Sequence, residues 1–347
     1  MVKDSSKVVK FPLEPIKSLQ YDLFGTFHSN DPDAVSNTVE TWDAIPKYAI
    51  NSKQAAKLRT ADGLSMPHDF SYRHSEGSYK LTIQPALIRQ SNGSYKAFFP
   101  GPTEEVVEEA LKKIFIERNY GIHDVQNSES WVRFTLRMVQ KILKKQGRAR
   151  SINQIKLAIQ VMNKAVLTIT QDGDEWWSGS ILQDLVTVGR AEYLEDRKAQ
   201  HIARLPLFIS LGINRMKYRQ FSFDRLLMLD PQLSRWIYRR LVNRYVQASM
   251  GNTYHLMYST MANSGLLAQA SMKGNREKIT EALEELVQKE VLLSYKAELQ
   301  KDGRKIVDVK YTFTPHPTFV GEQKAANSRA REGGKVLSGE KAFDAIR

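Results

Sequence analysis

The chain is 347 residues long, 41% hydrophobic and 26% charged, the balance of a globular protein with room for two or three domains and their cores. It contains no cysteine, which excludes disulfides, zinc fingers, iron–sulfur clusters and thiol nucleophiles and fits a reducing cytoplasm. A net charge of +13, no apolar run near the ~18 residues that span a bilayer and no signal-peptide core in MVKDSSKVVKF predict a soluble cytoplasmic protein without a membrane partner.

The first 40 residues, with Pro12, Pro15 and Pro32 among polar residues, read as a flexible N-terminal arm. From Trp42 to Pro102 the pattern is of short strands: Tyr79–Ile83, Ala86–Arg89 and Tyr95–Phe99, the last two joined by the hairpin signal Ser91-Asn92-Gly93. These strands form a small β-rich extension, expected to pack on the helical region after it. Thr103 opens a helix with acids in its first turn and Lys112-Lys113 later, and Val106, Val107, Ala110, Leu111 and Ile114 form its buried stripe. A short strand over Trp131–Thr135 and a helix over Leu136–Gln146 come next, then the basic turn Gly147-Arg148-Ala149-Arg150.

Ser151 caps the central helix of this region. Ile152, Ile155, Ile159, Met162 and Val166 recur at helical spacing on one side, and Asn153, Gln154, Lys156, Gln160, Asn163 and Lys164 lie opposite. Val166–Thr170 then alternates as a strand, Asp172-Gly173 is a hairpin turn, and Ile181–Val188 is the expected return. The Asp172–Asp174 pair could hold a divalent ion in another setting, but at a hairpin tip it predicts no metal site.

The same order recurs 124 positions on. Asn275 stands where Ser151 stood, Ile279, Ala282, Leu283 and Leu286 match Ile155, Ala158, Ile159 and Met162, and Tyr258-Ser259 matches Phe134-Thr135. The second copy has a leading helix from Pro231 to Ser249 with Arg235, Arg239, Arg240 and Arg244 on a basic side. A strand at Tyr254–Ser259 and a helix at Thr260–Ala270 come after it, and its hairpin runs through Val291–Leu299 and Ile306–Phe313 around Lys301–Lys305. A repeat of this length predicts an α+β chain of two tandem winged-helix domains, in which the second helix of each pair enters the major groove. The expected boundaries are an arm at 1–40, a first domain with its β-rich extension at 41–190, a connector at 191–204, a second domain at 205–320 and a disordered tail at 321–347.

The cations are grouped on these modules. No acid lies between Glu129 and Asp172, where nine Lys and Arg residues fall, nor between Asp196 and Asp224, nor between Asp230 and Glu277. Three such blocks predict a polyanionic partner. No catalytic signature accompanies them: the seven histidines never form a His-x-His pair, Gly333-Gly334-Lys335 lacks the spacing of a phosphate loop, and no G-x-S-x-G elbow occurs. The prediction is a binding protein without enzymatic activity or cofactor.

From about Ala86 to Val320 the chain resembles the plasmid replication initiators built from tandem winged-helix domains. The resemblance rests on ALIRQSNGSYKAFFPGPTEEVVEEALKK, FTLRMVQKILKKQGRARSINQIKLAIQVMNKAVLTI, YRQFSFDRLLMLDPQLSRWIYRRLVNRYVQAS and DVKYTFTPHPTFVGEQKAAN. It implies binding of double-stranded origin DNA at direct repeats (iterons), opening of the adjacent duplex, contact with a host replicative helicase and initiator ATPase, and a homodimeric form. Base-edge contacts would fall to Asn153, Gln154, Lys156 and Gln160 on the first recognition helix and to Asn275, Arg276, Lys278 and Thr280 on the second. Phosphate contacts would fall to Arg148, Arg150, Lys273, Arg304 and Lys305, with Arg235 and Arg239 as further DNA-binding candidates. The alternative is a winged-helix transcriptional repressor. Tandem non-identical modules favour reading an asymmetric repeat, whereas a usual repressor presents one module per subunit to a palindrome.

Overall fold

The computed structural model describes residues 35–74, 77–117, 120–187, 200–215, 217–267 and 271–337. Most of the expected arm, residues 191–199 of the connector and the last ten residues of the tail lie outside them. Among the described residues there are eleven helices and fifteen strands in an α+β arrangement.

The first half runs β1 (Val35–Thr38), α1 (Glu40–Asp43), α2 (Ser52–Lys57), the hairpin β2 (His68–His74) and β3 (Gly77–Gln84), and the hairpin β4 (Ala86–Arg89) and β5 (Tyr95–Phe98). Then come α3 (Pro102–Phe115), β6 (Gly121–Asp124), β7 (Glu129–Phe134), α4 (Leu136–Lys145), α5 (Ile152–Lys164), β8 (Val166–Gln171) and β9 (Asp174–Gly179). It closes with β10 (Gln183–Val186), β11 (His201–Arg204) and α6 (Leu207–Asn214). The second half runs β12 (Arg219–Ser222), α7 (Phe223–Met228), α8 (Gln232–Arg244), β13 (Tyr254–Met257), α9 (Tyr258–Ala262), α10 (Met272–Gln288), β14 (Leu292–Asp302), β15 (Lys305–Pro315) and α11 (Pro317–Leu337).

Each half has the helix–strand–helix–helix–hairpin order of a winged helix and a core of its own. Val107, Leu111, Phe134, Leu143, Ile155, Ile159 and Leu167 pack in the first. Ile237, Leu241, Ile279, Leu283, Leu286, Tyr311 and Phe313 pack in the second. The local devices are those the sequence carries. Thr135 caps α4 by accepting from the Met138 N–H at 3.1 Å. Gly147, at φ +69°, ends that helix in the left-handed conformation that glycine adopts without penalty. Ser151 and Gln154 form a capping box at the start of α5. Asp172 and Gly173 both take positive φ, 54° and 96°, as a tight hairpin turn between β8 and β9 requires.

Several expectations change. The first wing returns through β9, not through 181–188; β10 instead pairs with β11 in a four-stranded sheet of order β10-β11-β7-β6. His201–Arg204, expected in a connector, therefore belongs to the first module's sheet. The apolar run from Leu205 is helix α6, whose Ile209 lies in the first core, so it does not open the second module. Val35–Thr38 is not free arm but a strand paired antiparallel with β12 of the second half. Residues 321–337 are helical, with Phe319 and Val320 at the start of α11 in the second core. The β-rich extension packs on the first module as expected: β3 pairs with wing strand β8, giving the sheet β2-β3-β8-β9.

Candidate nucleic-acid interface

The expected recognition helix, α5, has two buried sides. Ile155, Ala158, Ile159 and Met162 enter the main core. Val161 and Ala165, with Leu157, pack against Ala86, Ile88 and Phe98 of the β4–β5 hairpin. What remains open is one strip: Asn153, Lys156, Gln160 and Lys164, at steps of three and four residues, share a face. Asn153, Lys156 and Lys164 are exposed and Gln160 is half-buried. Gln154 sits off this strip, and its side chain accepts from the Ser151 N–H at 2.8 Å, so it serves the helix cap. Exposed Arg137, Lys141 and Lys144 of α4 add charge nearby, with no acid from residue 130 to 171 to offset them.

The second recognition helix begins a turn earlier than expected. Ser271, not Asn275, is its N-cap, accepting from the Gly274 N–H at 3.1 Å. Asn275 thereby falls inside the helix, one turn before Ile279 on the buried stripe, where it donates to the Tyr258 hydroxyl at 3.0 Å. It is not available to a base edge. Arg276 is half-buried next to Tyr311, and Thr280 is half-buried next to Tyr295. Lys273 and Lys278 are exposed, and Lys278 pairs with Glu281 at 2.7 Å. The outward face of α10 therefore mixes Lys273 and Lys278 with Glu277 and Glu281.

The wings differ in charge. The first tip exposes Asp172, Asp174 and Glu175, and the second exposes Lys301, Arg304 and Lys305 beside Asp302. Among the described residues no group of three or more His, Asp or Glu could hold a metal ion.

Arg235 and Arg239 are corrected outright. They lie on the side of α8 that meets α3, 2% and 9% exposed. Arg235 donates to Glu105 Oε2 at 2.7 Å and to the Leu229 and Asp230 carbonyls; Arg239 donates to Glu105 Oε1 at 2.6 Å and to Glu109 at 3.4 Å. Around them Lys112 bridges Asp43 and Glu109, each at 2.9 Å, and Lys47 faces Glu108 at 3.8 Å. Four carboxylates and four cations thus neutralise one another between the modules. Burial alone would raise the Glu105 pKa, but the two guanidiniums outweigh it and hold the carboxyl at about 2. The basic side of α8 is in this part an internal joint, and its signal in the sequence is the matching acidic i,i+4 pair Glu105–Glu109 on α3. Arg148 belongs to the same joint. It donates to the Leu227 carbonyl at 2.7 Å and pairs with Asp230. Arg150 donates to the Ala149 carbonyl at 3.0 Å and stays half-buried beside α5.

No family model matches the chain, and no curated protein matches it. Among solved structures, a selenomethionine derivative of domains 2 and 3 of RctB has a TM-score of 0.47 at 11% identity, covering 82% of this chain and 98% of that one. A second structure of RctB domains 2-3 has a TM-score of 0.45 at 11% identity, covering 78% of this chain and 97% of that one. The Pi initiator protein in complex with iteron DNA has a TM-score of 0.36 at 11% identity, covering 83% of this chain and 99% of that one. At such identities and scores the likeness assigns no residue a role. No helix among the described residues is long and apolar enough to cross a membrane.

Proposed function

We propose that the chain is a sequence-specific double-stranded DNA-binding protein that initiates plasmid replication from direct repeats at an origin. The observation that carries the DNA-binding part is the open strip of α5, where Asn153, Lys156, Gln160 and Lys164 stand on a capped helix inside a stretch with nine cations and no acid. Asn and Gln suit adenine and Lys suits guanine in the major groove. The buried charge cluster ties α3 of the first module to α8 of the second, which supports a reading in which α5 and α10 meet one site in a set register. Lys273, Lys278, Arg304, Lys305 and Arg150 then supply phosphate contacts.

The initiator part rests on the family resemblance carried by four segments between Ala86 and Asn327. In that reading several occupied repeats strain an adjacent AT-rich duplex, and host helicase and initiator ATPase are recruited to it. A homodimer would hold the protein off the repeats. The test is a footprint of the full chain on its own replicon at physiological salt. Protection of several same-direction repeats beside an AT-rich tract supports initiation. Protection of one palindrome at its own promoter assigns a repressor instead.

A further inference from the structure

A cleft of about 510 Å³ opens between the two modules. Tyr72 and Arg73 of β2 form one wall; Trp236, Arg240 and Arg244 of α8, with Tyr254 of β13, form the other. Its lining holds three arginines and no carboxylate. Arg244 is paired with Glu40 outside the lining. Among the described residues neither Arg73 nor Arg240 has a carboxylate at ion-pairing distance, and the buried Nε of Arg240 has no hydrogen-bond partner. The Arg240 guanidinium stands over the Trp236 ring, 5.6 Å from its centroid. This is unlike the rest of α8, where Arg235 and Arg239 are neutralised. Asp308, the partner of Ser259 in the lining, is occupied by the Ser259 hydroxyl at 2.7 Å and the Ser259 N–H at 3.1 Å, and Glu40 and Asp43 line an adjoining cavity that shares Trp236 and Arg240.

We propose that this cleft binds a nucleotide: the phosphates taken by the Arg73 and Arg240 guanidiniums, the base by the aromatic wall. Guanidinium forks match phosphate oxygens in pairs, and a base stacks on an indole or phenol ring whatever its identity. The volume falls within the range of small-molecule sites, and such sites favour junctions between domains. Because the walls come from both modules, an occupant ties them together. The nucleotide can be a free nucleoside diphosphate or triphosphate, or one unit of a DNA strand. The chemistry is shared, and the test separates the sources. The proposal does not depend on which DNA sequence the recognition helices read.

The experiment titrates ADP, and separately inorganic pyrophosphate, into the full chain by calorimetry. The same titrations are run on Arg240→Gln and Arg73→Gln. Arg73 is on an exposed strand position, so its variant keeps the test open if Arg240→Gln fails to fold. One ADP per chain, weaker by about tenfold or more in each variant, assigns a free nucleotide to the cleft. Pyrophosphate binding more weakly than ADP but with the same sensitivity to the variants assigns the remainder to the base. No ADP binding, together with weaker binding of an arbitrary duplex and a salt slope lowered by about one in each variant, assigns the phosphates to a DNA strand. If ADP titrations and duplex salt slopes are the same in wild type and both variants, the cleft is not a nucleotide site.

Discussion

The two modules share an order of elements and differ in how their sheets close. In the second, β13 pairs with the returning wing strand β15, and β14 and β15 project as a hairpin of two eleven-residue strands. Almost all of β14 beyond Leu292 is exposed. In the first, β7 holds the place of β13 but pairs with β6 and β11, and wing strand β8 is flanked by β3 of the upstream hairpin. One wing is a braced part of a four-stranded sheet with an acidic tip, and the other extends past its partner strand β13 as a two-stranded hairpin with a basic tip. In the proposed reading the repeated local pattern has two uses: the first module would offer its helix, whose open face is cationic and polar, and the second its wing, since the open face of α10 is half acidic. The joint between them is the buried set of ion pairs from α3 to α8.

The largest expected effect comes from breaking that joint. Glu105→Ala leaves Arg235 and Arg239 buried without their main acceptor, and removing one partner of a buried ion pair costs about 3–5 kcal/mol. Urea denaturation should lose that much, and the single transition expected of coupled modules should split into two. Replacing Glu105, Arg235 and Arg239 together by apolar residues of similar volume sharpens the point. If that triple variant is as stable as the parent but binds its site less well, the charges serve orientation and not stability. The pH dependence comes from the same residue. With a folded pKa of about 2 against an ordinary 4.5, Glu105 contributes stability that is fully present above about pH 4.5 and is lost as pH falls toward 2. A denaturation series across that interval should flatten in Glu105→Gln.

What the sequence made legible was local. Ser151 with Gln154 and Asp172-Gly173 are short-range signals, and α5 and its hairpin lie where they place them. The end of α10 at Gln288 stands 124 residues after the end of α5 at Lys164, as the repeat requires. The start of α10 did not match, because Ser271 and Asn275 are both good caps one turn apart, and only the packing of Asn275 under Tyr258 decides between them. The joint was harder still. Glu105 and Arg235 are 130 residues apart, so α8 looked like a solvated cationic face while its neutralising carboxylates sat on α3. Sheet closure was out of reach for the same reason: Ile83 gives no sign that its partner is Leu167, or Phe134 that its partner is His201. The resemblance pointed to the general arrangement but not to which residues face out.

The helix comparison predicts the next largest effect. Asn153→Ala or Lys156→Ala should cost about 1–3 kcal/mol of specific binding with little change on an arbitrary duplex, measured by competition at fixed salt. Lys278→Ala should cost less, since the Lys278 ammonium is already paired with Glu281. Equal losses on the two helices would mean that α10 turns a base-reading face to DNA in spite of its acids, and the division of labour between modules would fall.

The wing comparison gives the smallest effect and the most direct reading of geometry. Arg304→Ala should weaken all sequences alike and lower the slope of log affinity against log salt by about one phosphate contact. Asp172→Ala, at the tip of the first wing, should leave that slope unchanged if the wing is a brace standing clear of the duplex. If the tip instead lies close to a phosphate, removing its carboxylate strengthens binding at low salt, because two like charges no longer face each other. The sign of that one change distinguishes a wing used only to stiffen the first module from a wing kept acidic to hold its distance from the backbone.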